Sequence, residues 1–89
     1  MILNVKHAEY KAGYKVYLVF NNGESVLTDL EDTLQNDSRK IFNPLRDIKY
    51  FKTFKIGLNT ITWDNGADFA PEFLLELGKH QELKRVKYA

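Results

Sequence analysis

The sequence predicts an α+β fold, consisting of an antiparallel three-stranded meander, a short helix, a second β-hairpin and a closing C-terminal helix. Three observations carry this prediction. Residues 14–20 and 60–63 show the two-residue periodicity of half-buried strands. An Asn-Gly pair, which suits a tight turn, follows each of these stretches. Pro44 and Pro71 each open a segment whose apolar residues recur at helical spacing.

The meander is predicted from the first third of the chain. Residues 14–20 are rich in β-branched and aromatic side chains, and the even-numbered positions form one apolar face. Residues 21–23 are Asn-Asn-Gly and tolerate the positive φ of a hairpin turn, so residues 24–30 are assigned to the return strand. Residues 2–9 are assigned to the first strand, with Gly13 near the turn that follows it.

The middle of the chain predicts a loop and then a short helix. Residues 29–38 are rich in acids and turn formers, so we expect a loop with at most one helical turn around residues 33–35. Asn43 and Pro44 suit the N-cap and the first helical position. The apolar side of the predicted helix consists of Leu45, Ile48 and Phe51.

The last third predicts a hairpin, a turn and a helix. Residues 54–63 are assigned to a hairpin that turns at residues 57–59, and residues 64–66 to a further turn. The closing helix is predicted to begin at Pro71, because the residue before proline disfavours helical angles, and to stop at Gly78. Its predicted apolar face consists of Phe73, Leu74 and Leu77.

Composition limits the number of domains, the cysteine chemistry and the cellular location that we expect. The chain has 89 residues, of which 44% are hydrophobic and 28% charged, which suits one small globular domain. We assign residues 1–78 to that domain and residues 79–89 to a basic C-terminal tail, either frayed or ordered by a partner. The absence of cysteine excludes disulfides and thiol chemistry. We find neither a signal peptide nor an apolar run of about 20 residues, and therefore expect a cytoplasmic protein without membrane contact.

Charge is segregated along the chain although its net value is only +1. Residues 21–38 and 56–78 carry acids and no Lys or Arg, whereas residues 39–55 and 79–89 are predominantly basic. One interpretation places acidic and basic blocks side by side in the fold, and the other exposes a basic face to an acidic partner. The candidate basic contact surface consists of Arg39, Lys40, Arg46, Lys49 and Lys52.

No arrangement typical of catalysis or metal binding is recognisable in the sequence. The two histidines, His7 and His80, lie at opposite ends of the chain, and no phosphate-binding glycine loop is present. Asp64, Asp68 and Glu72 recur every four residues, which leaves an acid-dependent hydrolase as a weak third hypothesis. Turn formation and helix capping explain these acids more simply. We therefore predict no enzyme activity, no metal and no cofactor.

One run of twelve residues resembles the signature of a bacterial family, domain of unknown function 2442. Residues 63–74 read Trp-Asp-Asn-Gly-Ala-Asp-Phe-Ala-Pro-Glu-Phe-Leu, and weaker similarity extends the match to residues 3–78. The weaker matches include the hairpin from residue 14 and the segment 42–47. The resemblance implies an α+β fold and no catalytic site. It also implies that some members form half of a two-gene cassette beside a small toxin-like protein, while others are fused to a helix-turn-helix domain.

The signature has two interpretations. In the first it is a structural corner, where Gly66 adopts a backbone shape that a Cβ forbids, Asp68 caps the helix and Pro71 fixes its first turn. In the second, Trp63 and neighbouring polar groups face a groove that recognises a partner. A buried Trp63 favours the corner and an exposed one the groove. The candidate signature residues are Trp63, Asn65, Gly66, Asp68, Pro71 and Phe73.

The function predicted from these features is a small, non-enzymatic protein-interaction domain. By the family resemblance its partner is a small basic toxin-like protein encoded nearby, in the manner of an antitoxin. The predicted contact surfaces are the acidic block 24–37 and the helix 71–77. The alternative is a nucleic-acid-associated transcriptional regulator that uses residues 39–55 and 79–87. A homodimer is compatible with either function.

Overall fold

The first three strands form one antiparallel sheet. The computed structural model describes residues 2–86, with strands β1 Val5–Ala12, β2 Lys15–Phe20 and β3 Ser25–Asp29 in the order β1-β2-β3. The predicted meander is therefore confirmed, although β1 begins and ends three residues later than the predicted range 2–9. Pairing with β2 sets these limits, because Val5 lies opposite Phe20 and Ala12 opposite Lys15.

The core lies on one face of this sheet. The even-numbered residues of β2 and β3 are buried and the odd-numbered ones are exposed or half-buried, as the period of two requires. Thr28 is the buried polar residue in this row, and its hydroxyl donates a hydrogen bond to the backbone oxygen of Leu74 at 3.0 Å. Every buried polar group of this kind needs a partner, so this bond fixes where the last helix crosses the sheet.

A short helix follows the sheet where a loop was predicted. Helix α1 spans Glu31–Asn36, longer than the single turn expected around residues 33–35. Leu30 and Leu34 are both buried, and the Leu34 amide donates to the Leu30 carbonyl at 2.9 Å. Two leucines four residues apart therefore anchor a full turn against the core and override the low helix propensity of the surrounding residues.

The helix predicted from Asn43 is broken into separate pieces. Two 3₁₀ turns span Lys40–Phe42 and Pro44–Arg46, and helix α2 spans Ile48–Phe51. Asp47 interrupts the run with extended backbone angles and accepts a hydrogen bond from the Lys49 amide at 3.1 Å. A helical turn does begin at Pro44 with Asn43 in the N-cap position, but the Asn43 side chain caps no amide, and Asp47 provides the side-chain cap of α2. The predicted apolar stripe also breaks, because Ile48 is 39% exposed whereas Leu45 and Phe51 are fully buried.

The second hairpin is confirmed. Strands β4 Lys55–Gly57 and β5 Thr60–Thr62 pair antiparallel, and the turn residues Leu58 and Asn59 both have positive φ. The backbone oxygen of Asn59 accepts a hydrogen bond from the Val5 amide at 2.8 Å. This contact places the hairpin beside β1, and Ile61 of β5 belongs to the same buried core as the first sheet.

The closing helix begins as predicted but does not stop at Gly78. Helix α3 spans Pro71–Val86, so the boundary placed between residues 78 and 79 falls inside a helix. A Cβ at Gly78 would lie 2.5 Å from the Thr28 hydroxyl and 2.6 Å from a Val26 methyl group. Glycine therefore lets α3 approach β3 closely and does not terminate it. The last three residues of the predicted tail, 87–89, lie outside the described residues.

The buried face of α3 differs slightly from the predicted one. Leu74 and Leu75 are buried, whereas Phe73 is 40% exposed and Leu77 is only partly buried. The buried residues point to β3, with which α3 makes its main contact. In residues 2–86 no helix has the length and apolar character needed to span a membrane.

Candidate functional site

Trp63 lies at the centre of the corner between β5 and α3. Only 2% of its surface is exposed, and its indole N–H donates a hydrogen bond to the Phe51 backbone oxygen at 2.9 Å. Its ring lies 5.6 Å from that of Phe51, 6.2 Å from Phe54 and 5.9 Å from Phe69. These are centroid separations typical of interacting aromatic pairs. Trp63 thus connects the hairpin, α2 and the segment before α3. Its burial is the one expected if the signature is a structural corner.

The backbone after Trp63 closes into a tight turn. The Gly66 amide donates to the Trp63 carbonyl at 2.9 Å, and the Trp63 amide donates to the Ala67 carbonyl at 3.0 Å. Gly66 has a φ of +90°, where any residue with a Cβ is strained. Asp68 then forms a β-bridge with Thr62, so the chain runs briefly back along β5 before the helix. The prediction that Gly66 serves this turn is confirmed.

Asn65 connects this turn to the middle of the chain. Its side-chain oxygen accepts from the Ala67 amide at 3.1 Å, and its side-chain nitrogen donates to the Ile41 carbonyl at 2.9 Å. Its backbone amide donates to the Tyr50 hydroxyl at 3.1 Å. The side chain lies at the surface but is bonded at both ends, so its observed role is to hold two loops together.

Asp68 does not cap the helix. Its side chain is exposed, and within residues 2–84 its carboxylate makes no hydrogen bond. The first helical bond instead runs from the Leu74 amide to the Ala70 carbonyl at 3.1 Å. The approach to the helix is fixed by Thr60, whose hydroxyl donates to the Phe69 carbonyl at 2.6 Å. Asp68 instead borders a groove.

A groove of about 360 Å³ opens beside Asp68. One side comes from α1 and the residues after it, and the other from the last residues of the signature and the first turn of α3. The groove therefore combines charged groups with an aromatic surface. Its lining residues are Thr33, Asp37, Arg39, Asp68, Phe69, Ala70 and Phe73.

A column of stacked groups supports the groove. The Arg39 guanidinium lies 4.7 Å from the centre of the Phe42 ring, which stacks on Phe69 at 5.1 Å with an interplanar angle of 15°. Phe69 in turn stacks on Phe73 at 5.9 Å and 19°. The Phe73 ring is the last of the column and is 40% exposed, so part of this side chain is accessible to a further group.

The Asp37 carboxylate is the most strongly perturbed acid at the groove. Arg39 donates from Nη2 to Oδ2 at 2.7 Å and from Nε to Oδ1 at 3.0 Å. Its backbone amide also donates to Oδ1 at 3.0 Å. These hydrogen bonds, the side-chain ones first, lower the pKa of Asp37 from 3.8 to about 2. Asp37 is therefore ionised at neutral pH.

The candidate basic residues do not act as one free surface. Arg39 is paired with Asp37, and Arg46 donates to the backbone oxygens of Leu34 and Asp37, both at 3.0 Å. The Lys52 ammonium lies 5.6 Å from the centre of the Tyr10 ring. Lys40 and Lys49 are exposed and have no ion pair within residues 2–84.

The acids of the hydrolase hypothesis are not gathered in a cleft. The Asp64 side chain is 82% exposed and pairs with Lys55 at 2.9 Å. Only Asp68 borders the groove. Among residues 2–86, no three His, Asp or Glu side chains are placed to hold a metal ion. The other carboxylate at the groove belongs to Asp37, which the hypothesis did not include and which is paired with Arg39.

A second cavity of about 440 Å³ lies between the sheet and the second half of α3. Gln81 borders it and bonds the backbone of Asp29 twice, as donor from Nε2 and as acceptor at Oε1, both at 2.9 Å. Lys15, Leu27 and Lys84 complete the lining. This cavity contains none of the signature residues.

Sequence analysis missed part of the groove. Thr33, Asp37, Phe69 and Ala70 were not among the individual candidate residues, although the first two lie in the acidic block 24–37 and the last two in the signature 63–74. The spacing of Asp37 and Arg39, two residues apart, is a local signal that could have identified the ion pair. No local signal indicates that Phe42 stacks on Phe69, since the contact joins positions far apart in the chain.

Comparison with known proteins identifies the same family that residues 63–74 resemble. No curated protein and no solved structure matches the chain. A family model does match, over residues 5–80, and its description is protein of unknown function (DUF2442). This match spans nearly the whole described chain and includes both the corner and the groove. The chain therefore belongs to the DUF2442 family.

Proposed function

We propose that this protein is a non-enzymatic interaction module that receives a basic segment of a protein partner in the groove beside Asp68. The partner is a small basic toxin-like protein encoded nearby, and this chain acts as its antitoxin-like counterpart in the bacterial cytoplasm. The family resemblance supports a toxin-like partner encoded nearby, which is an associational argument. The lining of the groove supports the binding of a basic segment.

One observation carries the proposal. The two predicted contact surfaces, the acidic block 24–37 and the helix 71–77, meet at the same groove, which Asp37 borders from one side and Phe73 from the other. Residues far apart in the sequence thus converge on one concave surface. Binding sites are commonly concave, with an apolar wall and a few placed polar groups.

The lining suits a cationic side chain. Within residues 2–84 the Asp68 carboxylate has no hydrogen-bond partner, and the partly exposed Phe73 borders the same groove. An arginine of the partner would pair with Asp68 and stack on Phe73, because guanidinium groups favour both carboxylates and aromatic faces. Asp37 and Arg39 offset each other as an ion pair, so Asp68 gives the groove its net negative charge, and exposed Glu31 and Asp32 on helix α1 add negative charge nearby.

Co-expression with the neighbouring gene product tests the proposal. We expect the tagged chain to copurify a stoichiometric basic partner at moderate salt, and Asp68→Asn to weaken that complex about tenfold, equivalent to about 1.4 kcal/mol. Asp64→Asn is the matched control, because it removes the same charge at an exposed position outside the groove. Failure to form a complex, or equal weakening by both variants, would contradict the proposal.

The nucleic-acid alternative draws less support from the geometry. Two of its five candidate basic side chains, Arg39 and Arg46, are engaged in bonds within the protein. It predicts nucleic-acid binding at low salt that weakens steeply as salt rises, because phosphate contacts release counterions. Filter binding at several salt concentrations measures this directly.

A further inference from the structure

Two turns of the chain share an Asn-Gly pair and the same hydrogen-bond pattern. One lies between β2 and β3, at Asn22 and Gly23, and the other is the signature turn at Asn65 and Gly66. The two glycines have φ values of +89° and +90°. In each turn the glycine amide donates to the carbonyl three residues earlier, at 3.1 and 2.9 Å. The asparagine side-chain oxygen accepts from the amide two residues later, at 3.0 and 3.1 Å. The molecule therefore contains one kind of turn in two different surroundings.

The two asparagines differ in what their side-chain nitrogens contact. Asn22 Nδ2 donates to the Glu24 carboxylate at 2.8 Å, and both groups lie at the surface. Asn65 Nδ2 donates to the backbone oxygen of Ile41 at 2.9 Å, and the Asn65 backbone amide donates to the Tyr50 hydroxyl at 3.1 Å. Two distant segments therefore hold Asn65, whereas the Asn22 side chain bonds, within residues 2–84, to its own turn alone.

The anchor of the first turn lies one residue before its Asn-Gly pair. The Asn21 side chain donates to the Ile2 carbonyl at 2.8 Å and accepts from the Asn4 amide at 2.9 Å. These bonds tie the turn to the start of the chain at its first residue. Asn22 and Gly23 follow the anchor and are both exposed. A local opening of these two residues therefore needs no movement of the sheet.

Asn-Gly pairs are the places where a peptide chain cyclises most readily. The backbone nitrogen of the following residue attacks the asparagine side-chain carbonyl, and glycine has no Cβ to obstruct that approach. Asn22 and Asn65 are the asparagines of this sequence that precede glycine. Because the reacting dipeptide is the same in both turns, a difference in their rates reports on the surrounding structure.

We propose that Asn22 is a site of spontaneous deamidation in the folded protein, and that the fold protects Asn65 from the same reaction. The Gly23 nitrogen forms a bond to the side-chain carbonyl carbon of Asn22. The bond from that carbon to Nδ2 breaks, and ammonia leaves with the proton of the Gly23 amide. Water then opens the cyclic imide at one of its two carbonyl carbons and leaves either aspartate or isoaspartate at this position.

The hydrogen bonds explain why the two sites differ. In both turns the glycine amide must leave its carbonyl partner, and the asparagine oxygen must leave its amide partner, before the ring can close. At Asn65 the bonds to Ile41 and Tyr50 restrain the pair as well. Two additional bonds make a reactive opening about tenfold rarer, so we expect Asn22 to react about tenfold faster than Asn65.

Deamidation at Asn22 changes the charge at one end of the acidic block 24–37. The new carboxylate can no longer donate to Glu24, and it places a like charge beside it. Glu24 also pairs with Lys79 of α3, so the altered turn borders a contact between the sheet and the helix. The added negative charge cancels the net charge of +1. This inference goes beyond the proposed function, because Asn22 does not border the groove.

The experiment follows both sites in the same sample of the intact chain. The folded protein is incubated in mildly alkaline buffer made with heavy-oxygen water, digested with trypsin and analysed by tandem mass spectrometry. Opening of the imide incorporates oxygen from the solvent, which separates deamidation during the incubation from earlier damage. Trypsin places Asn22 in the peptide 16–39 and Asn65 in the peptide 56–79. We expect the label at Asn22 to accumulate about tenfold faster than at Asn65.

Two controls show whether the fold sets the difference. In guanidinium chloride the chain is unfolded, and the two Asn-Gly pairs should react at similar rates. Tyr50→Phe removes the hydroxyl that accepts from the Asn65 amide, so it should raise the rate at Asn65 and leave Asn22 unchanged. Circular dichroism establishes that this variant is folded. Equal rates in the folded chain, the same ratio after unfolding, or an unchanged Asn65 rate in Tyr50→Phe would overturn the proposal.

Discussion

The signature corner, residues 63–74, and the basic stretch, residues 39–55, were singled out by the same sequence but are constructed differently. The corner depends on a buried indole whose ring and N–H contact three other segments. The basic stretch depends on surface side chains, of which Arg46 donates hydrogen bonds to three different residues. A recognisable sequence motif can therefore serve the packing of the core. A basic stretch can likewise use its side chains to bond backbone oxygens of the same protein.

The largest effect is expected at the corner. Trp63→Ala removes a buried aromatic side chain and leaves the Phe51 carbonyl without its donor, so we expect a loss of about 3–5 kcal/mol of unfolding free energy. Chemical denaturation followed by circular dichroism measures it. Trp63→Phe is the control and should retain most of the packing. A loss below about 1 kcal/mol for alanine would remove the distinction between the two regions.

Gly78→Ala tests the packing of α3, the helix that begins within the signature, against strand β3. In an exposed helix, alanine stabilises by about 1 kcal/mol over glycine. At Gly78 the added Cβ would meet Val26 and Thr28 within 2.7 Å, so we expect a net destabilisation of about 1–3 kcal/mol. The midpoint of urea unfolding gives the sign. Stabilisation would show that α3 does not approach β3 so closely.

Arg46 and Lys49 sharpen the comparison within the basic stretch. Arg46→Lys keeps the charge but cannot reproduce the bonds to Leu34, Asn43 and Asp37, so we expect a loss of about 1–2 kcal/mol. Lys49→Ala should change stability by less than about 0.5 kcal/mol, as an exposed surface substitution. Thermal unfolding of both variants measures the difference. Equally small effects would mean that the hydrogen bonds of Arg46 do not contribute to stability.

The smallest effect is a dependence on pH. The Asp37 pKa is lowered from 3.8 to about 2 by Arg39, so this carboxylate favours the folded state above pH 4 and loses that contribution as pH falls toward 2. Titration of the Asp37 carboxyl carbon by nuclear magnetic resonance measures the shift. Arg39→Gln should return the pKa toward 3.8, and an unshifted wild-type value would contradict the ion pair.

Local signals predicted the elements that local chemistry determines. The Asn-Gly turns, the start of α3 at Pro71 and the need of the Trp63 N–H for a partner all follow from single residues or pairs. The end of α3 could not be predicted, because Gly78 responds to a strand some fifty residues earlier in the chain. The cap at Asp47 was missed because Asn43 and Pro44 satisfy the same local rule. The two sides of the groove were predicted as separate contact surfaces, the acidic block 24–37 and the helix 71–77, and their meeting at one groove was not predicted.

The double hydrogen bond between Gln81 and Asp29 has a consequence for solubility. Strand β3 is an outer strand of its sheet, and an outer strand offers free peptide groups on which another chain can add. The Gln81 amide imitates a peptide group of a neighbouring strand and occupies the donor and the acceptor of Asp29. The closing helix thereby blocks the end of this strand against fibril-like growth, a hazard for a small protein that presents a sheet edge.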